Sequence, residues 1–578
     1  MRILIEEYQY DVSKVRDVLY GIDALENMEG RVSIHYVGYY YNMLLKDCVF
    51  ILPKVLLKDV DGKELVFGKY KPEDIANLDT FDSKERSFLY KFAVWIYRAI
   101  VVYKNDRRND TRIVCQSYIA QMCHRGRRQS NTYLDILLSL IQFNHDNQSF
   151  FFFIIKNLHS GLNKINWQRT IATKTAIIQN EQAVYLNPVN KRRQINFDEE
   201  LLIIFFSILN YIGDTYGFPK DICCQFQLIT GKRFDTYLNG FGKTRLRQIK
   251  YKYFSDKALQ LWHLCYNFFD EAQQVMVATE QRDYLLVKNF YVVFEAIIDE
   301  LIGDNPLPDG MEKQQEDGKI VDHLFTSQSL IAGENEQTYY IGDSKYYKIG
   351  HELGSQSIYK QYTYARNVIQ WNIDIFSNGD KPSSGVRLRD DVTEGYNILP
   401  NFFISAKLNE MFSYDDDNIE KTDRKRNRHK RVQFDNRLFD RDTLLLSHYD
   451  VNFLYVLSLY ARDNQSQKAA WKMKVRQCFC KEIQKWLDED YDFYFIKAKT
   501  GVDDKEYFKT HFQQLLGKFY APFEQYKDIY SLALEKGEKY QQENKLLLNQ
   551  LKDYFFVERF KLEKDQQDVL VRIRTRTH

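Results

Sequence analysis

Val32-Ser-Ile-His-Tyr-Val-Gly-Tyr-Tyr-Tyr41 is dominated by β-branched and aromatic residues, and Cys48-Val-Phe-Ile-Leu52 follows as a continuous apolar run. Residues 32–68 therefore read as β structure. Asp61-Gly62 separates Val55-Leu-Leu57 from Leu65-Val-Phe67, the composition of a tight hairpin turn. A helix capped by Asp82 or Ser83 is predicted to about Tyr103, a second from Tyr133 to Phe143, and a short β segment near Gln179 to Leu186. Residues 1–190 thus read as a mixed β/α N-terminal domain. From Asp198 to Asp270 the apolar spacing becomes helical, with Glu199 and Glu200 ahead of Leu201-Leu-Ile-Ile-Phe-Phe-Ser-Ile-Leu209, where a helix dipole favours acids. Residues 191–283 form a helical middle region on this reading.

A third unit spans 284–530. Phe290, Phe294, Ile297, Ile298 and Leu301 recur at helical spacing, and Ile320-Val-Asp-His-Leu-Phe325 is a short strand. A turn at Gly333-Glu-Asn-Glu336 leads into the strand Tyr339-Tyr-Ile-Gly-Asp-Ser-Lys-Tyr-Tyr347. Gly354-Ser355 then starts a helix on which Gln361, Tyr364, Ala365 and Val368 share a face. Residues 531–578, rich in Lys, Glu, Gln and Leu, read as a helical tail, and no internal repeat is evident. The predicted class is an α+β or α/β multidomain chain.

Composition narrows the functional classes. The 578 residues suggest about two to four domains. Lys and Arg number 81 against 79 Asp and Glu, so nucleic-acid contact would have to come from local patches. One such run holds seven basic side chains: Lys421, Arg424, Lys425, Arg426, Arg428, Lys430 and Arg431. It reads as a solvated loop, or as a track for a phosphate backbone. Glu6 and Glu7 interrupt the apolar centre a secretory segment needs, and no apolar run reaches a membrane span, so a cytoplasmic protein with no membrane partner is expected. The eight cysteines lack zinc-knuckle spacing. Gly240-Phe-Gly-Lys-Thr244 resembles part of a phosphate loop, but Tyr237 stands where its first glycine belongs, so this chain is not expected to bind nucleotide.

The chemistry concentrates on one strand. Asp343 and Lys345, two residues apart, project from the same strand face. Within an interior strand such a pair is costly unless it binds something. A carboxylate can ligate magnesium, and a neighbouring ammonium can stabilise charge developing on a phosphate. The plainer reading is a surface strand bearing a salt bridge. An antiparallel pairing across the Gly333–Glu336 turn would bring Asp322 beside Asp343 and make a hard-oxygen site suited to magnesium. Asp309, in a stretch of turn formers, is the competing acid. Glu295, at the border of its helix's apolar stripe, could reach a metal or its water, and Gln361 could orient a nucleophilic water.

The order helix Glu295, strand Asp322, strand Asp343-Ser-Lys345, helix Gln361 resembles the PD-(D/E)XK nuclease superfamily, whose core is an αβββαβ unit around one or two magnesium ions. Asp343-Ser-Lys-Tyr-Tyr347 and Lys360-Gln-Tyr-Thr-Tyr364 look like LlaJI and McrC-type restriction endonuclease subunits. The segment Phe434-Asp-Asn-Arg-Leu-Phe-Asp-Arg-Asp442 shares that look. The resemblance covers roughly 285–460. It implies that Asp322 and Asp343 hold the metal, with the Ser344 carbonyl as a further ligand and Glu295 assisting directly or through water. Lys345 would stabilise the attacked phosphate or activate water, and Gln361 would position it. Val321 precedes Asp322 where the family has proline, whereas Pro308 precedes Asp309, so the first acid stays open between them. The implied function is cleavage of double-stranded DNA in an McrBC-like antiviral restriction system, beside an AAA+ GTPase (McrB-like) hexamer. Residues 1–190 would then engage that partner, with the hairpin at Asp61-Gly62 a candidate for insertion into its ring. A different class is a non-catalytic adaptor that binds DNA or stimulates a partner NTPase.

Overall fold

The computed structural model describes residues 2–576 other than 21–25, 29, 43, 46, 75–82, 108–109, 117–132, 148–166, 181, 187, 189–198, 217–221, 223–226, 254, 278–283, 308–311, 316–317, 332–335, 349–353, 378–385, 410, 423–428, 433, 463 and 524. The fold is mixed α+β, with several separate sheets.

A five-stranded N-terminal sheet is built from β1 (Arg2–Ile5), β2 (Tyr36–Asn42), β3 (Asp47–Leu52), β4 (Ile113–Gln116) and β5 (Tyr284–Lys288), in the order β1-β3-β2-β5-β4. Strand β5 lies between β2 and β4, antiparallel to both, so the chain returns to its first sheet after the whole middle region. Residues 284–288 therefore belong to the N-terminal sheet, which corrects the expected boundary. Gly38 makes this pairing possible: its φ is +141°, and a Cβ there would collide with the Leu285 carbonyl. Beside this sheet, Leu57–Val60 and Lys63–Val66 form a hairpin turned by Asp61 (φ 54°) and Gly62 (φ +74°).

Helix α1 (Ser83–Asp106) lays Leu89, Phe92, Ile96 and Ile100 on the sheet. In the middle region, α2 (Glu199–Tyr216) and α3 (Asp256–Val277) join the same apolar core. That core runs on without a break into α4 (Tyr291–Ile302), whose Val293, Phe294, Ile297 and Leu301 are fully buried. The boundaries expected near 190 and 283 thus divide the sequence but not the packing.

The third unit centres on a second sheet. Strand β6 (His323–Gln328) pairs antiparallel with β7 (Gln337–Lys345). Helix α5 (Ser355–Ser377) then crosses over, so that β8 (Pro400–Lys407) runs parallel to β7. Short strands β9 (Ile419–Lys421) and β10 (His429–Val432) line the far side of β11 (Leu444–Asn452), which is parallel to β8. Of β7, only Gln337 is exposed and only Lys345 half-buried; the rest is buried, because α5 covers one face and α4 with α7 (Gln465–Asp490) the other. Gly342 lets the Phe402 ring lie against β7, where a Cβ would overlap it. Helix α6 (Phe453–Ala461), buried along its whole length, follows β11 directly.

The tail is not purely helical. Phe519–Tyr520, Ile529–Glu535, Tyr491–Ala498 and Phe555–Phe560 form, in that order, a four-stranded sheet around its own apolar core. Helices Gln541–Tyr554 and Gln566–Arg574 complete it. The segment Phe555-Phe-Val-Glu-Arg-Phe560 is hidden in a charged stretch and becomes a strand because β-sheet partners 60 residues upstream are available to it.

Candidate active site

The β6/β7 pairing sets His323 opposite Gly342, and continuing that register by one step sets Asp322 opposite Asp343. The Ser344 amide donates to Asp322 Oδ2 at 3.3 Å, and the two aspartate side chains share a hydrogen bond. Lys345 makes a close ion pair with Asp343 Oδ2 that lacks hydrogen-bond alignment, and its ammonium sits 5.4 Å from the centre of the Phe403 ring. Asp343 is only 2% exposed. Glu295, one turn into α4, is near enough for its charge to act on Asp343 and Asp322.

Crowding of three carboxyl groups in a buried place has a definite electrostatic outcome. Burial, reinforced by the Asp343 charge, pushes Glu295 up to about 7. Burial, the hydrogen bond to Asp343 and the charges of Asp343 and Glu295 raise Asp322 far above the usual carboxylate range. Burial would raise Asp343 as well, but the bond from Asp322 and the Lys345 and Lys360 charges outweigh it and hold Asp343 ionised. The cluster therefore keeps protons that a divalent cation would displace. Asp322, Asp343 and Glu295 are hard oxygen donors, and this donor set suits magnesium. As the side chains stand, no group of three or more His, Cys, Asp or Glu among the described residues, these three included, is drawn together closely enough to hold a metal ion.

Gln361 does not face this cluster. Its Nε2 donates to the Ile341 carbonyl and to Asn401 Oδ1, both at 3.1 Å, so the side chain fastens α5 to β7 and β8. It is fully buried, and its Oε1 has no hydrogen-bond partner among the described residues. The helix instead turns Lys360 toward the acids. Lys360 lies over the ring of Tyr364, one turn on, with 5.3 Å to its centre, and its charge acts on Asp343, Asp322 and Glu295 alike. Spacing of four residues between Lys360 and Tyr364 was the available signal for this.

Ser344 points its hydroxyl to the other face, 2.5 Å from His323 Nε2, while His323 Nδ1 lies 3.5 Å from Asp299. Burial lowers the His323 pKa, so the ring stays neutral. These groups brace Asp322 and Asp343 from behind.

No family model, curated protein or solved structure matches this chain.

The remaining expected residues are scattered. Asp309 and Pro308 lie outside the described residues, as do Arg424, Lys425, Arg426 and Arg428. Lys421 is on β9 and ion-paired with Glu482, and Lys430 and Arg431 are on β10. The basic run is therefore not one open loop: its two ends are strands held on β11. Thr422 donates its amide to the His448 carbonyl, and His448 lies in the cross-strand row Asp343, Phe403, His448. The run thus leaves the sheet at the level of the carboxylates. Among the described residues no helix is long and apolar enough to cross a membrane.

Proposed function

We propose that this chain is the DNA-cleaving subunit of an McrBC/LlaJI-like restriction system, a magnesium-dependent endonuclease of PD-(D/E)XK type that works with an AAA+ NTPase partner. The observation that carries the reading is the meeting of Asp322, Asp343, Glu295 and Lys345 at one sheet end, from a helix and two neighbouring strand segments that follow one another in the chain. Buried charge of this density is unfavourable for folding alone, and such clusters mark functional sites.

Asp322 and Asp343 would hold the cation, with Glu295 beside them. When bound, magnesium supplies Lewis-acid charge at the phosphate and lowers the pKa of the attacking water. Lys345 and Lys360 place two ammonium groups where negative charge would grow on a phosphate, and the partial burial of Lys345 strengthens its share. The basic run at 421–431 would add sequence-independent attraction for a DNA backbone. The partner rests on the resemblance of the strand and helix motifs.

Purified protein, with its AAA+ partner, nucleotide and magnesium, should cut double-stranded DNA, and Asp343→Ala should slow cutting at least about 100-fold. Equal cutting by wild type and Asp343→Ala refutes the enzyme reading and leaves the non-catalytic adaptor.

A further inference from the structure

Glu6 is 1% exposed and sits just past β1, in the N-terminal sheet. Its carboxylate accepts three hydrogen bonds: from the Lys54 amide at 3.3 Å, the Phe290 amide at 3.2 Å and the Tyr346 hydroxyl at 2.6 Å. Two of these donors flank the carboxylate cluster. Phe290 is the cap residue just before α4, which carries Glu295, and Tyr346 directly follows Lys345, the last residue of the strand of Asp343. One buried carboxyl group thus ties together the two segments whose separation decides whether Glu295 and Asp343 can serve one cation.

The surroundings hold Glu6 itself in place. The Lys54 ammonium lies 5.1 Å from the centre of the Tyr346 ring and pairs with Glu7 at 2.7 Å. Tyr346 packs among Phe290, Phe294 and Phe453. Lys348, two residues further on, reaches back to Glu64 of the N-terminal hairpin at 2.6 Å. A buried carboxyl group with three donors is costly to assemble, and an apolar residue would fill the same volume at less cost. The carboxyl group gives what an apolar side chain cannot: directional bonds to two specific site-bearing segments.

We propose that Glu6 is a positioning residue for the carboxylate cluster, fixing Glu295 relative to Asp343 and Lys345 by holding the Phe290 amide and the Tyr346 hydroxyl on one carboxylate. This rests on the reading of Asp322, Asp343 and Glu295 as a cation site. It makes the N-terminal sheet part of the site, although Glu6 and Tyr346 are 340 residues apart.

The test is direct titration of the full-length chain with Mn2+, alongside thermal melts. Asp343→Ala should abolish binding. Glu6→Ala should weaken it about 10-fold or more, the scale of outer-shell effects on metal sites, and Glu6→Gln, which keeps one of the two acceptor oxygens, should recover only part of the loss. Tyr346→Phe removes a single hydroxyl and should shift affinity in the same direction, which keeps the test decisive if Glu6→Ala does not fold. Wild-type affinity in folded Glu6→Ala or in Tyr346→Phe, with binding still lost in Asp343→Ala, overturns the role of Glu6 alone. Absence of Mn2+ binding by the wild type overturns the cation site and this role with it.

Discussion

Replacing Glu295 by Gln should stabilise the cation-free protein, and only at neutral and alkaline pH. The folded state holds this carboxyl at about 7 against an ordinary value of 4.5, chiefly because it is buried and secondly because Asp343 is ionised nearby. At about 1.4 kcal/mol for each tenfold change in proton affinity, the difference amounts to roughly 3 kcal/mol. Its sign follows from proton binding. Below pH 4.5 the group is protonated in both states and costs nothing. As pH rises from 4.5 to 7 the unfolded chain ionises while the folded one keeps its proton, so stability falls, and above about pH 8 the full cost is present. Gln cannot ionise and escapes it. Melting curves of wild type and Glu295→Gln, without divalent cation, should nearly coincide at pH 4.5 and separate at pH 8.5, with the variant higher by roughly 2 °C or less per kcal/mol in a chain of this size. Adding Mn2+ at pH 8.5 should raise the wild type more than the variant, because the cation replaces the displaced protons. A separation that does not change with pH, or a variant less stable than wild type at pH 8.5, refutes the argument that these acids crowd one another.

Cation affinity should rise steeply between pH 6 and 8, since Glu295 and Asp322 must lose protons to bind; isothermal titration at both pH values checks this, and a flat profile contradicts it. Lys360→Met should slow DNA cleavage about 10-fold and raise Glu295 further, visible by NMR titration, whereas an unmoved Glu295 would separate Lys360 from the cluster. Gln361→Met should cost about 2 kcal/mol in stability through two lost hydrogen bonds, yet leave Mn2+ affinity within about threefold of wild type. A selective loss of affinity there would restore the role expected of Gln361 from its motif.

The strand Tyr339–Tyr347 and its turn contain their own instructions. Apolar residues on both faces dictate an interior strand, and the short Gly333–Glu336 connection dictates an antiparallel neighbour, so the meeting of Asp322 with Asp343 could be read from residues lying within 26 positions of one another. Period-two geometry likewise put Lys345 beside Asp343. The helix was legible too, but not which of its adjacent residues faces the acids. Lys360 and Gln361 differ by about 100° around the axis, and only packing of Tyr364, Ala365 and Val368 on β7 fixes the rotation.

What the sequence by itself determined is local: the strands, the helices, and the side-chain directions that follow from their periods. What only the tertiary structure decided is every contact made by chain segments that have no local reason to meet. Strand β5 closes a sheet begun 280 residues earlier, Phe555–Phe560 becomes a strand in a charged tail, and Glu6 reaches Tyr346. The physical reason is that burial and hydrogen bonding reward such meetings only once the whole core has assembled. Neither the raised proton affinity of Glu6 nor that of Glu295 has any local signature, because both are properties of the surroundings rather than of the residue.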